Sequence, residues 1–304
     1  MRRGLGLAWF ESGEFYSLSC AVLWAVALVL FRKGNAILPP VVLNLYKNVI
    51  GSALLVLTML ALGTSFSPSE RSLSDWLVVI ASGIIGISIA DTLLFAAMDK
   101  LGASRAAVVN TSYTPLVILS AFFYLDEGLG WEMLLSTVLI GGGIIIGTWD
   151  ATARSSAPTR AIIYAVMVGL ASNLLMAVGI VMVKPVLLVS DALWLTSLRM
   201  FAALPLLLVQ CASRSEYRKA TLYAFTPGKH WKILLPSALI GAYAALILWV
   251  LGFKYTLAGI SSVLTETSTI LTMLLAAVFL GERLTWRKTV AVSLGFVGIL
   301  IVVL

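Results

Sequence analysis

The sequence is poor in charge. Asp, Glu, Lys and Arg make up only 12% of its 304 residues, about half of the roughly 25% that a soluble domain carries. With 60% hydrophobic residues and a mean hydropathy of +1.02, it has too little polar surface to cover a water-soluble globule. The same numbers exclude a disordered or collagenous chain. Cysteine is nearly lacking: Cys20 and Cys211 both lie in apolar runs, so no disulfide framework is implied. Histidine is scarcer still. The single His230 sits in a loop beside Trp231, which leaves neither a membrane-embedded His base nor a His metal site. No G-x-x-x-x-G-K-[ST] occurs, so direct ATP use is excluded and no cofactor is expected. The net charge of +7 comes from basic residues scattered singly between apolar runs. That is the pattern of loops flanking membrane spans, not of a nucleic-acid surface. What remains is an all-α membrane protein whose partner is the lipid bilayer.

About 20 mostly apolar residues are needed to cross a bilayer as a helix. Ten runs qualify, near 15–32, 39–62, 76–98, 103–124, 132–149, 161–183, 190–211, 232–253, 257–280 and 288–304. Short connections make successive helices antiparallel neighbours. The exceptions, 63–75 and 212–231, read as surface loops from their Ser, Pro, Arg and Lys content. The first run follows Met1-Arg2-Arg3 as a signal peptide does, but it is too long and lacks a clean cleavage site, so it is expected to stay as a helix.

The chain repeats itself. A shift of 155 residues lays Leu125-Asp126-Glu127-Gly128-Leu129-Gly130-Trp131 on Leu280-Gly281-Glu282-Arg283-Leu284-Thr285-Trp286, and Gly86 on Gly241. Each half, 1–150 and 151–304, therefore holds five spans. Five is odd, so the second copy enters from the opposite side. The expected fold is ten transmembrane helices in two inverted five-helix repeats, with a site at their interface near the midplane.

These residues also carry a family likeness. Gly102-Ala103-Ser104-Arg105-Ala106-Ala107, Tyr113-Thr114-Pro115-Leu116 and Leu125-Asp126-Glu127 resemble the EamA-type repeat of the drug/metabolite transporter superfamily. Ala258-Gly259-Ile260-Ser261-Ser262 and Leu280-Gly281-Glu282-Arg283-Leu284-Thr285 resemble it again, with Ile270 where the first copy has Pro115. The resemblance implies a plasma-membrane carrier or exporter of small metabolites with both termini cytoplasmic. It assigns no substrate. Counting basic residues points the other way on sidedness: five lie on the termini side and fourteen opposite, and such residues concentrate in the cytoplasm.

Four apolar runs are each interrupted by one charge: Lys47, Asp91, Arg199 and Glu266. A charge at membrane depth costs about 2.5–3.5 kcal/mol and usually faces a cavity or a partner. At 1.5 Å per residue, Lys47, Arg199 and Glu266 lie roughly 12–14 Å into their helices, and Asp91 about 10 Å from the end of its own. Lys47 and Arg199 come from opposite halves, one turn from Asn44 and Thr196 respectively. They are candidates to close on one anionic group, such as a carboxylate or phosphate. Glu266 first and Asp91 second are candidates for proton coupling, with Ser262 and Thr269 expected to line a wet cavity beside Glu266. Two positives and two negatives also permit internal pairing. That alternative makes the protein a non-transporting structural or assembly subunit, its charges fixing helix register.

The fourth span carries Asn110, Thr111, Ser112, Tyr113 and Thr114 in succession, more polarity than packing needs. Asn110 and Tyr113 are expected to line the substrate cavity, with Asn173 and Trp24 as further candidates and Trp249 as a comparable wall. Pro115 removes a helix hydrogen bond and is a candidate hinge. Glu127 and Glu282 stand at helix ends and read as turn or interfacial partners of Arg283, Arg287 or Lys288. Gly141, Gly142, Gly143 and Gly147 mark close helix packing. Monomer and homodimer are both open.

Overall fold

The structure, a computed structural model, describes residues 12–64, 71–126, 131–132, 135, 138–139, 142–143, 146, 159–282 and 285–303. Every regular element among them is helical. Eight helices are long and apolar enough to cross a membrane: α1 (Gly13–Asn35), α2 (Pro40–Leu62), α3 (Leu73–Leu101), α4 (Ala103–Leu125), α5 (Thr159–Leu188), α6 (Ala192–Ala212), α8 (Trp231–Tyr255) and α9 (Ala258–Leu280). Between α6 and α8 lies the short α7 (Ser215–Phe225), and α10 (Trp286–Val303) follows α9. Eight crossing helices match eight of the ten apolar runs. The fifth run falls largely outside the described residues, as do Glu127, Gly141 and Gly147, and α10 covers the last.

Local chemistry sets the helix starts. The Ser12 hydroxyl accepts from the Phe15 amide at 3.2 Å, Ser72 accepts from Asp75 at 3.2 Å, and Asp191 accepts from Leu193 and Trp194 at 2.9 and 3.0 Å. Each satisfies amide donors that the first turn leaves free. The expectation of a loop over 212–231 needs correction, because α7 occupies its first half. Tyr217, Ala220, Thr221, Ala224 and Phe225 form its inner face, with Ala224 fully buried and Tyr46 of α2 against Phe225 at 5.2 Å between ring centroids. Tertiary packing of that face overrides the polar composition.

The 155-residue repeat reappears as matched backbone irregularities. A π-helical turn interrupts α3 at Ile84–Ile89 and α8 at Ala238–Ala245. α4 breaks after Asn110 and resumes at Tyr113, and α9 breaks at Thr267. In both breaks a hydroxyl bonds back to a carbonyl three residues earlier: Thr111 to Val108 at 2.7 Å, Ser112 to Val109 at 2.9 Å, and Thr267 to Leu264 at 2.8 Å. Such bonds compete with the helical ladder. Because α9 breaks with Ile270 in the place of Pro115, proline is not the common cause. The two helices also end alike. Asp126 (φ 54°) and Gly281 (φ 65°) are left-handed caps donating to Ala121 and Ala276, which is the structural content of the Leu-x-Glu repeat.

The halves interleave. α2 packs along α6, α3 along α5, α1 against α8 and α9, and α4 against α5 and α9. Gly143 continues this seam: a Cβ there would lie 2.7 Å from the Ala291 carbonyl oxygen of α10.

Candidate functional site

A cavity lies where helices of both halves meet. All four intramembrane charges reach it: Lys47, Asp91, Arg199 and Glu266. Of the neutral candidates, Trp24, Asn110 and Tyr113 line it too, and Trp249 completes an aromatic wall.

The charges are not equivalent. Lys47 Nζ stands 2.7 Å from Asp91 Oδ2, with both side chains buried, and also lies 5.7 Å from the Phe95 ring. α2 reinforces the contact one turn earlier. The Asn44 amide donates to the Ile87 and Ser88 carbonyls at 2.9 and 3.1 Å and to Thr92 Oγ1 at 2.9 Å. A π-turn disturbs the regular carbonyl ladder of α3, and Asn44 binds two carbonyls within it. So Asn44 braces α3.

Arg199 is 1% exposed, yet Nε and Nη1 have no hydrogen-bond partner among the described residues. Among the described residues no carboxylate lies within 4.0 Å of it. Its guanidinium sits 5.7 Å from the Trp249 ring centroid, a cation–π contact. Glycines of α3 make room for it. Gly83 lies against the Arg199 backbone, and a Cβ on Gly86 would come within 3.3 Å of Nη2.

Glu266 is 3% exposed. Its Oε1 accepts from Thr269 Oγ1 at 2.6 Å, and no cation lies within 4.0 Å among the described residues. Neither expected hydroxyl lines the cavity here. Thr269 is spent on the carboxylate and Ser262 bonds back to Gly259 at 2.7 Å; Thr265 and Ser268, beside the break, take their place. The α4 break likewise presents Asn110 and Tyr113.

Asn173 lies elsewhere. From α5 it donates to the Val109 carbonyl at 3.1 Å and Ser112 Oγ at 2.9 Å, bracing the α4 break from behind in a separate small pocket. Pro115 is buried at the start of the second segment of α4. Glu282 receives the Ala103 and Ser104 amides at 2.8 and 3.0 Å, with Lys288 at 3.9 Å. It thus ties the end of α9 to the start of α4, a backbone role beyond the ion pairing expected of it. Sequence reasoning missed Asn48, Met176 and Gly86 as lining residues. Only the pairing of Gly86 with Gly241, which also lines the cavity, was a usable signal.

A cavity at the seam of two repeat-related halves, with broken helices and buried charge around it, is the arrangement of a secondary carrier. The chain belongs to the EamA-like transporter family, whose sequence profile matches residues 11–149 and 163–304. It is a multi-pass membrane protein of a transporter family. One solved crystal structure superposes with a TM-score of 0.66 over 95% of this chain and 95% of its own, at 18% identity, and so shares the fold. No curated protein matches the chain.

Proposed function

We propose that the protein is a secondary transporter or exporter of a small polar metabolite, an amino-acid-like or other organic anion or zwitterion. It works by alternating access between two inverted five-helix halves, 1–150 and 151–304, with the run at 132–149 as the fifth of ten spans, in the plasma membrane. The observation that carries this reading is Arg199: a fully buried guanidinium, unpartnered at Nε and Nη1 among the described residues, facing a cavity that also holds Glu266. A buried charge without a partner is strongly unfavourable, so an anionic group from the substrate fits there. Arg199 meets that group with its planar fork. Trp24, Trp249 and Tyr113 pack its body, and Asn110 supplies a neutral polar contact.

The two-cation clamp is narrowed. With Lys47 held by Asp91, Arg199 is the primary anion contact and Lys47 contributes through the pair. Glu266 is the residue for proton coupling, ahead of the paired Asp91, and in its ionised form it also suits the ammonium of a zwitterion. Pro115 lets the second segment of α4 pivot as access alternates. One observation favours a structural role for part of this set: the Lys47–Asp91 pair fixes α2 against α3.

The test is accumulation of labelled α-amino acids and organic acids in vesicles holding the purified protein, with and without an imposed pH gradient. Uptake that exceeds empty vesicles and falls in Arg199→Met is expected. No uptake of any such solute contradicts the proposal and leaves the structural-subunit reading.

A further inference from the structure

Outside the cavity, the feature that the transport reading leaves unused is α7. Its inner face is buried against α2 and α6, but its outer face is unusual for a water-exposed helix. Leu222 is 72% exposed and Tyr223 52%, and exposed Arg218 and Lys219 share that face. Arg214 precedes the helix, Lys229 and Lys232 follow it, and Glu216 is the only acidic residue between 212 and 232. Exposed apolar side chains flanked by cations are the composition of a helix lying in a membrane interface. Each basic residue near an anionic leaflet adds about 1 kcal/mol. The helix is also fixed in place. Its Ala224 carbonyl accepts from Trp231 Nε1 at 2.9 Å, and Tyr223 stacks on His230 at 4.2 Å.

We propose that α7 docks on an anionic phospholipid leaflet and passes that contact to the transport cavity. Phe225, at the end of α7, packs on the fully buried Tyr46. The next residue in α2 is Lys47, which holds Asp91 in the cavity wall. A lipid surface that pulls on α7 thus moves the segment of α2 that carries the ion pair.

The experiment uses the full chain in vesicles of phosphatidylcholine alone or with added phosphatidylglycerol. A polarity-sensitive fluorophore on Leu222→Cys reports the docking, since Cys20 and Cys211 are buried. A blue shift only with phosphatidylglycerol, reversed by high salt and lost in Arg218→Glu/Lys219→Glu, is expected. Emission that ignores lipid charge, or a shift that survives the double charge reversal, overturns the docking. For the transmission, Ser268→Cys places a thiol in the cavity wall. Its labelling rate should change several-fold with phosphatidylglycerol in the otherwise native chain, and stay constant when Phe225→Ala is added. An equal rate in both lipids overturns the coupling. Neither readout depends on a transported substrate, so failure here is distinct from failure of the transport reading.

Discussion

The two halves share a backbone plan and divide the charge unequally. Both have a π-turn at matched positions, a broken helix and a left-handed cap. Yet the cavity charges of the first half, Lys47 and Asp91, neutralise one another at 2.7 Å. Those of the second half, Arg199 and Glu266, have no ionic partner within 4.0 Å among the described residues. A repeat can keep the geometry that shapes a central cavity while its two copies differ in how their buried charges are partnered. Equal burial hides the distinction. Partner satisfaction exposes it.

The largest expected effect breaks the paired half. Lys47→Ala or Asp91→Ala strands a buried charge and should destabilise the protein by about 3–5 kcal/mol. Lys47→Met combined with Asp91→Leu should recover most of that in thermal unfolding of the purified protein. Arg199→Met is the contrast. It removes a buried charge that has no ionic partner, so unfolding should stay at the native temperature or rise, while substrate affinity falls by about 1.5–3 kcal/mol, one to two decades. If Arg199→Met unfolds as readily as Lys47→Ala, the halves are equivalent and the distinction is lost.

Glu266→Gln keeps the size of the side chain and removes its titration. Vesicles carrying it should take up substrate at a rate indifferent to an imposed pH gradient, while Asp91→Asn, if it folds, should still respond. The smallest effect falls outside the cavity. Glu282→Ala uncaps the first turn of α4 at Ala103 and Ser104 and should cost about 0.5–2 kcal/mol, read as a modest drop in unfolding temperature with substrate affinity unchanged.

Much of this was legible in the sequence. Single charges inside apolar runs located the cavity, because membrane depth makes each of them expensive. Pairing was not legible. Which cation meets which carboxylate depends on how α2 lies on α3, and Asn44 helps to set that through two carbonyls in the π-turn of α3. The polar runs at 110–114 and 265–269 coincide with the two helix breaks, although in the sequence the first reads only as cavity lining. Asn173 looked like a ligand contact because a buried amide suits either role, and it braces the backbone instead. α7 was hidden by its polar composition, yet Tyr217, Thr221 and Ala224 already carried helical spacing.

The most direct test of the division between the halves is a titration of intrinsic tryptophan fluorescence with zwitterionic α-amino acids. Trp249 lies against Arg199 and senses any anion that reaches it. Recognition through Arg199 requires a saturable change with at least one of these ligands, lost in Trp249→Phe and in Arg199→Met, with Arg199→Met unfolding at or above the native temperature. A saturable change that persists in Arg199→Met would contradict it.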